Sequence, residues 1–533
     1  MGHLMLFTMA LTWAAGSPRP VGTDQPGPYE GKAGGQTPSA PAGTTAQTVK
    51  LRLKLLPPAT SPAPTDWIRK NILPQSFYMA LDGSTDEGAA RFRQIVKNEP
   101  GQYNSKRPFR GVAKLGSGEY AFVLDSKAQG AKGYGRLYFD RNHNGDLTDA
   151  SVLDAGAPRE YSSTSLASWH FVFPRVDLAI DIDGIRADYA FFFTSDYRES
   201  GTGYRYVTAS LAAAAYREGQ VTLGAKPRRV VVLDSSSSGR FDDQWKIAED
   251  AGKRRRIEPL TWYTVGDKLL FDPDSRAQRE PFDYWFEGWP MSTLVNLDGQ
   301  FYDVSVSAVG DTLVAAPSSV PLGSVTNPCE TFRAIVYGDR GCLKISGGGS
   351  RPVPLPAGRW KLLYLAISLT GDPPDRAPTI TAGLPPPGSA PGLWQAWAIA
   401  TAESPEVLVP PGQTVPFPFG PPYRLGVDGR RVPGRKPISL RLTMVGSGGE
   451  YCVRMQAGNR QPEEPEFTIS TPDGKEVEQG HFTAGCDIFP RWYFWKPPSE
   501  SAAVYHVRVR PGFGPFKVTD ASPIILRMSE LPP

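Results

Sequence analysis

The run Asp140-Arg-Asn142-His-Asn144-Gly145-Asp146-Leu147-Thr148-Asp149 sets side-chain oxygens at alternate positions. Oxygens from Asp140, Asn142 and Asn144 can turn toward one centre, and Gly145 right after them permits a sharp bend. A donor set of carboxylate, amide, hydroxyl and carbonyl oxygens suits a hard cation, and Ca2+ is the one expected here. A second stretch repeats the plan: Asp234-Ser-Ser236-Ser-Ser238-Gly239-Arg-Phe241-Asp242-Asp243. Asp234 stands for Asp140, Gly239 for Gly145, Phe241 for Leu147 and Asp243 for Asp149, and Asp242 adds a carboxylate. Serines replace the asparagines, so this is the poorer calcium set. The two copies suggest an internal duplication between roughly 108–160 and 205–260. An ion-free account also exists: Asp, Asn and Ser cap turns by bonding their own backbone, and Gly supplies the positive φ.

The first loop resembles the Asp/Asn-rich calcium loops of EF-hand and dockerin-type sequences. The resemblance implies that Asp146 gives its backbone carbonyl, that Leu147 anchors the loop, and that Thr148 or a water serves the next ligand place. It departs at the last place, where Ser151 stands instead of a bidentate acid, so Asp149 would have to substitute. The element before the loop also reads as a strand, which argues against a helix-loop-helix hand.

Other constellations are weaker. Phe282-Asp-Tyr-Trp-Phe-Glu-Gly-Trp289 is strongly aromatic. Trp285 and Trp289 could stack on a glycan, and Asp283 with Glu287 could form an acid pair; a plain aromatic core explains the same residues. The five histidines share no metal-ligand spacing, and no P-loop, G-x-G-x-x-G or G-x-S-x-G occurs. The four cysteines, Cys329, Cys342, Cys452 and Cys486, lie in the last 40% of the chain with no C-x-x-C. In an exported chain they would form two disulfides, expected as Cys329–Cys342 and Cys452–Cys486 because each pair is local. Four buried thiols are the alternative.

The elements that must hold these residues are mostly strands. With 55 Gly and 53 Pro in 533 residues, about a fifth of the chain breaks helices and central strands. That excludes a helical bundle or coiled coil, while 12 Trp and a 40% hydrophobic share still permit real cores. Strands are expected at 49–55, 120–124, 136–139, 176–182, 189–193, 229–233 and 301–306, with Asp183-Gly184 as a hairpin turn. Short helices are expected at 66–73 and after the capping box Ser84-x-x-Glu87, with a weak Ala-rich one at 211–216. The fold class is therefore mainly β, a multi-domain β-sandwich-type architecture with few short helices.

Along the chain, 1–16 reads as a signal peptide, because Leu4 to Ala15 has the length of an apolar export segment and is too short for a membrane span. Residues 17–48 read as a Gly/Pro/Ser/Thr linker. The rest divides into a β-rich domain at 49–320 with the Asp-led loops, a sandwich-like domain at 321–445 and another at 446–533. Within the latter two, Val353-Pro-Leu-Pro-Ala-Gly-Arg-Trp360 and Phe467-Thr-Ile-Ser-Thr-Pro-Asp-Gly-Lys475 resemble turns of carboxypeptidase-regulatory-like (prealbumin-like) sandwich domains. That likeness implies a β-sandwich and carries no activity. A net charge of +4 gives no basic footprint for nucleic acid. No stretch is long enough for a transmembrane helix. The expectation is an extracytoplasmic, non-catalytic protein for surface binding or scaffolding, with a protein or glycan partner. The alternative is a carbohydrate-binding or glycoside-hydrolysing protein acting through residues 282–289.

Overall fold

A computed structural model describes residues 46–58, 66–81, 87–163, 166–201, 203–224, 226–245, 247, 266–273, 288–371, 392–401, 404–431, 437–458, 462–485, 488–498, 504–510, 512–519 and 523–531. The expected signal peptide and nearly all of the expected linker lie outside them. The chain is mainly β, 57% strand against 4% helix, in several antiparallel sheets of multi-domain β-sandwich type. No helix among the described residues is long and apolar enough to cross a membrane.

Four sheets build the half that carries the Asp-led loops. Phe109–Leu115, Gly118–Asp125, Arg136–Phe139 and Leu153–Asp154 form a meander, and helix Glu87–Ile95 packs Phe92 onto one face of it. Its other face shares a core with a six-stranded sheet whose long strand, Ile185–Ser200, pairs with Val176–Ile182, Leu166–Val172 and Arg205–Ala213. The third sheet contains Ala215–Leu223, Lys226–Leu233 and Lys268–Phe271, and it meets a fourth sheet, which includes Gln300–Val306 and Thr312–Pro317, across a third core.

Two sequence expectations change here. The segment at 49–55 is not one strand: Gln47–Lys50 pairs with Thr312–Pro317, and Arg52–Leu55 pairs with Ala215–Leu223. Buried Leu51 is the switch point, and its amide donates to Asp311 O at 2.7 Å. The Ala-rich stretch 211–216 is not a helix. It ends one strand at Ala213 and starts the next at Ala215, and Ala213, Ala214 and Ala215 are buried where two sheets meet. Small side chains let the backbones approach there, so packing overrides helix propensity. The Asp183-Gly184 hairpin forms, with both residues at positive φ (54° and 83°).

Beyond residue 320, a ten-stranded sheet includes Thr331–Gly338, Gly358–Thr370, Leu393–Ile399, Tyr451–Ala457 and Ile438–Val445. Strands from both sides of the boundary expected at 445/446 share this sheet. A four-stranded sheet with Glu466–Ser470 and Val504–Arg510 joins its core. In the 353–360 turn, Trp360 is buried and its indole N–H donates to Pro356 O at 2.7 Å.

Candidate functional site: two Asp-led loops

Strand Arg136–Phe139 delivers Asp140 to the first loop, where it is 1% exposed. Its carboxylate accepts the Asn144 amide (3.1 Å) and the Gly145 amide (2.9 Å). The side-chain amides of Asn142 and Asn144 both donate to Asp149 Oδ2, at 3.1 and 2.9 Å. Asp149 thus closes the loop through hydrogen bonds from the two asparagines. Buried Leu147 packs with Phe92, Val123 and Tyr138. The residues after the helix clasp the turn: the amides of Lys97 and Asn98 donate to Gly145 O, and the Leu147 amide donates to Asn98 O. Asp146 turns aside. Its carboxylate accepts the Thr148 hydroxyl (2.5 Å) and amide and the Asn98 side chain, and these bonds, the Thr148 hydroxyl first, hold its carboxyl below the usual range. The Asp146 and Thr148 side chains therefore engage each other and not the loop centre.

Strand Lys226–Leu233 delivers Asp234 to the second loop in the same way. Its carboxylate accepts the Ser238 amide (2.9 Å) and the Gly239 amide (2.7 Å). The Ser236 and Ser238 hydroxyls reach Asp243 Oδ2 at 3.2 and 2.6 Å. Buried Phe241 anchors this loop as Leu147 anchors the first. The backbones match too: His143 and Gly145 have φ of 57° and 76°, and Ser237 and Gly239 have φ of 57° and 84°. One hydrogen-bond plan is built twice. Asp242 is not part of it, because both of its oxygens face the Arg240 guanidinium at 2.9 and 3.0 Å.

The second loop gains a residue that sequence reading missed. Lys268–Phe271 pairs with Lys226–Leu233, with Leu233 opposite Lys268, and this sets Asp267 beside Asp234. Asp267 is fully buried; it accepts the Ser235 amide (3.0 Å) and the Asp243 amide (2.9 Å). Ser236 Oγ stands 3.3 Å from Asp234, 3.2 Å from Asp243 and 3.5 Å from Asp267. Three carboxylates thus surround one hydroxyl. Burial, with the charge of Asp243 beside it, pushes Asp234 up to about 6 against 3.8 ordinarily. Burial also raises Asp267 well above its usual range, aided by the charges of Asp234 and Asp243. The Tyr189 hydroxyl donates to Asp234 Oδ2 at 2.6 Å. No local motif announces Asp267; only strand pairing does.

The carboxylate, amide and hydroxyl groups that the two loops bring together are oxygen donors, which suit a hard cation such as Ca2+, while the His143 ring of the first loop stacks on Tyr120. No group of three or more His, Cys, Asp or Glu among the described residues is drawn together as a metal cluster. An ion at either loop would have to draw on hydroxyl, amide or backbone oxygens as well.

The other expected site residues fall elsewhere. Asp283, Trp285 and Glu287 lie outside the described residues. Trp289 is half-buried: its indole N–H donates to Asn296 O, its ring meets Phe271 edge-on at 5.3 Å, and Lys344 Nζ lies 4.9 Å from the ring centroid. The expected Cys329–Cys342 disulfide is absent, and both are free buried thiols. Cys342 and its neighbour Leu343 alternate across their strand, and Cys329 shares a core with Leu343 while Cys342 faces the other core. Closeness in sequence misled because the strand between them separates the two faces. Cys452 is buried, with its thiol 3.3 Å from Arg454 O, and its expected partner Cys486 lies outside the described residues.

Fold and loops define a mainly-β, multi-domain protein with a paired Asp-led loop plan. No family model, curated protein or solved structure matches the chain.

Proposed function

We propose that this is an exported, non-catalytic β-rich protein for surface binding or scaffolding, in which Ca2+ staples the Asp-led loops to their sheets. The observation that carries the reading is the meeting of Asp234, Asp243 and Asp267 around Ser236, two of them buried. Buried carboxylates that raise one another's pKa are relieved by a proton or by a divalent cation. The first loop, with Asp140, Asn142, Asn144, the Asp146 carbonyl and Asp149, is the second and more exposed place for an ion. Each loop ties a strand end to a distant segment: residues 97 and 98 for the first, and Leu73, Gly116 and Asp267 for the second. An ion there would stiffen a scaffold and supply no reaction.

The test is thermal unfolding in millimolar Ca2+ and in chelator, on wild type, Asp140→Ala and Asp267→Asn. Binding to the folded state alone raises stability by about 2.7 kcal/mol at a hundredfold excess over Kd. The midpoint should rise with Ca2+ in wild type, and each variant should lose part of that rise. An equal midpoint in Ca2+ and chelator would refute the reading.

A further inference from the structure

The six-stranded sheet buries one face, through Phe171, Ser195, Tyr197, Val207 and Ala209. The register fixes what the opposite face carries. One row across five strands reads Tyr78, Thr208, Asp196, His170, Arg159, each directly opposite the next. The adjacent row reads Ala80, Tyr206, Arg198, Ser168, Tyr161. Five strands make a face roughly 19 Å wide.

The face is polar, as an outward antiparallel face is, and it groups aromatic rings with guanidinium groups. Tyr206 lies tilted against both Tyr78 and Tyr204, 5.7 Å between centroids in each pair, and the Tyr78 and Tyr204 hydroxyls bond each other. Tyr161 is 60% exposed and Tyr204 40% exposed. The Arg198 guanidinium lies 6.0 Å from the Tyr206 ring centroid. Neither Arg198 nor Arg159 has an ion pair or hydrogen bond to a side chain among the described residues. Asp196 is the only carboxylate in the two rows, and His170 Nδ1 engages it at 3.1 Å. The face therefore combines flat aromatic rings, hydroxyls and two uncompensated guanidinium forks.

We propose that this sheet face binds an acidic oligosaccharide, whose sugar rings lie on the tyrosines and whose carboxylates pair with Arg198 and Arg159. A guanidinium takes a carboxylate through two parallel hydrogen bonds, and a tyrosine offers both an apolar face and a hydroxyl. Two cations are too few to neutralise a nucleic-acid backbone, so the carboxylated sugar fits the charge better. The inference does not rest on the Asp-led loops and gives the surface-binding role a ligand class of its own.

The test is calorimetric titration of the full chain with a short oligogalacturonate, a neutral cello-oligosaccharide of equal length and an oligothymidylate, all at one fixed calcium concentration. Wild type should bind the oligogalacturonate in preference to both others. Arg198→Gln should weaken it about tenfold or more, as expected for the loss of a charge-assisted pair. Tyr206→Ala should weaken it as well, and both variants should keep the wild-type unfolding midpoint. If Tyr206→Ala lowers that midpoint, Arg198→Gln, which removes no packed ring, decides alone. Absence of oligogalacturonate binding, equal affinity for the neutral sugar, or affinity unchanged in Arg198→Gln would overturn the proposal. Tighter binding of oligothymidylate would overturn it in favour of a single-strand nucleic-acid platform.

Discussion

Asp234 and Asp267 are buried carboxyls held above their ordinary range by burial and by mutual repulsion with Asp243. For Asp234, a folded value near 6 against 3.8 unfolded fixes the sign. Its contribution is present below the unfolded value and is lost as pH rises through the folded one. In chelator, the unfolding midpoint should therefore fall as pH climbs from about 4 past 6. Saturating Ca2+ should remove that fall, because the ion takes the place of the proton. Asp234→Asn, read by the same melts, should flatten the chelator curve. The cysteines allow a second check at this scale. Burial pushes the Cys329 and Cys342 thiols up to about 12, so the native protein should leave both unmodified by a thiol reagent at neutral pH. Denaturant should expose them without any reductant; a need for reductant would mean that a disulfide forms.

Each loop is a strand end, a turn with two positive-φ residues of which one is glycine, and a buried anchor, and each part has a separable cost. Gly184 and Gly239 share a positive φ, 83° and 84°. A Cβ on Gly184 meets nothing within 4 Å, whereas one on Gly239 would stand 2.7 Å from the Gly116 amide nitrogen and from Ile180 Cδ1. Gly184→Ala should cost about 1–2 kcal/mol, and Gly239→Ala clearly more, by denaturant titration. Phe241→Ala should cost about 3–5 kcal/mol and blunt the calcium response together with stability. At this scale the sequence was a good guide to whatever is local. Alternating oxygens before a glycine, an apolar anchor and a closing acid could all be read in residues 140–149 and 234–243. Asp-Gly at 183–184 marked a hairpin for the same reason, since turn chemistry lives within four residues. The reading failed where a distant segment decides. Asp267 joins the second loop only because its strand pairs with Lys226–Leu233, and Leu51 divides one apparent strand between two sheets. Asp242 looked like a ligand, but Arg240 claims it.

Across the whole molecule the loops sit among the sheets of the first half, which adjoin the C-terminal sheet: Leu294 and Phe301 join its core, and Trp245, just past the second loop, packs edge-on against Tyr364. If Ca2+ acts as a local staple, its effect should be local too. Hydrogen exchange read by mass spectrometry should slow in 95–98, 136–149, 230–243 and 266–270 on adding Ca2+, with little change in 438–457. Uniform slowing would point to global stabilisation by another route. The measurement that tests the central claim most directly is the number of calcium ions held per chain at neutral pH, by equilibrium dialysis of the full-length protein. Wild type should retain calcium against buffer, Asp267→Asn should lose the ion of the second loop, and Asp140→Ala should leave that ion in place. A wild-type chain that holds no calcium at millimolar concentration would contradict the account and reduce both loops to hydrogen-bonded turns.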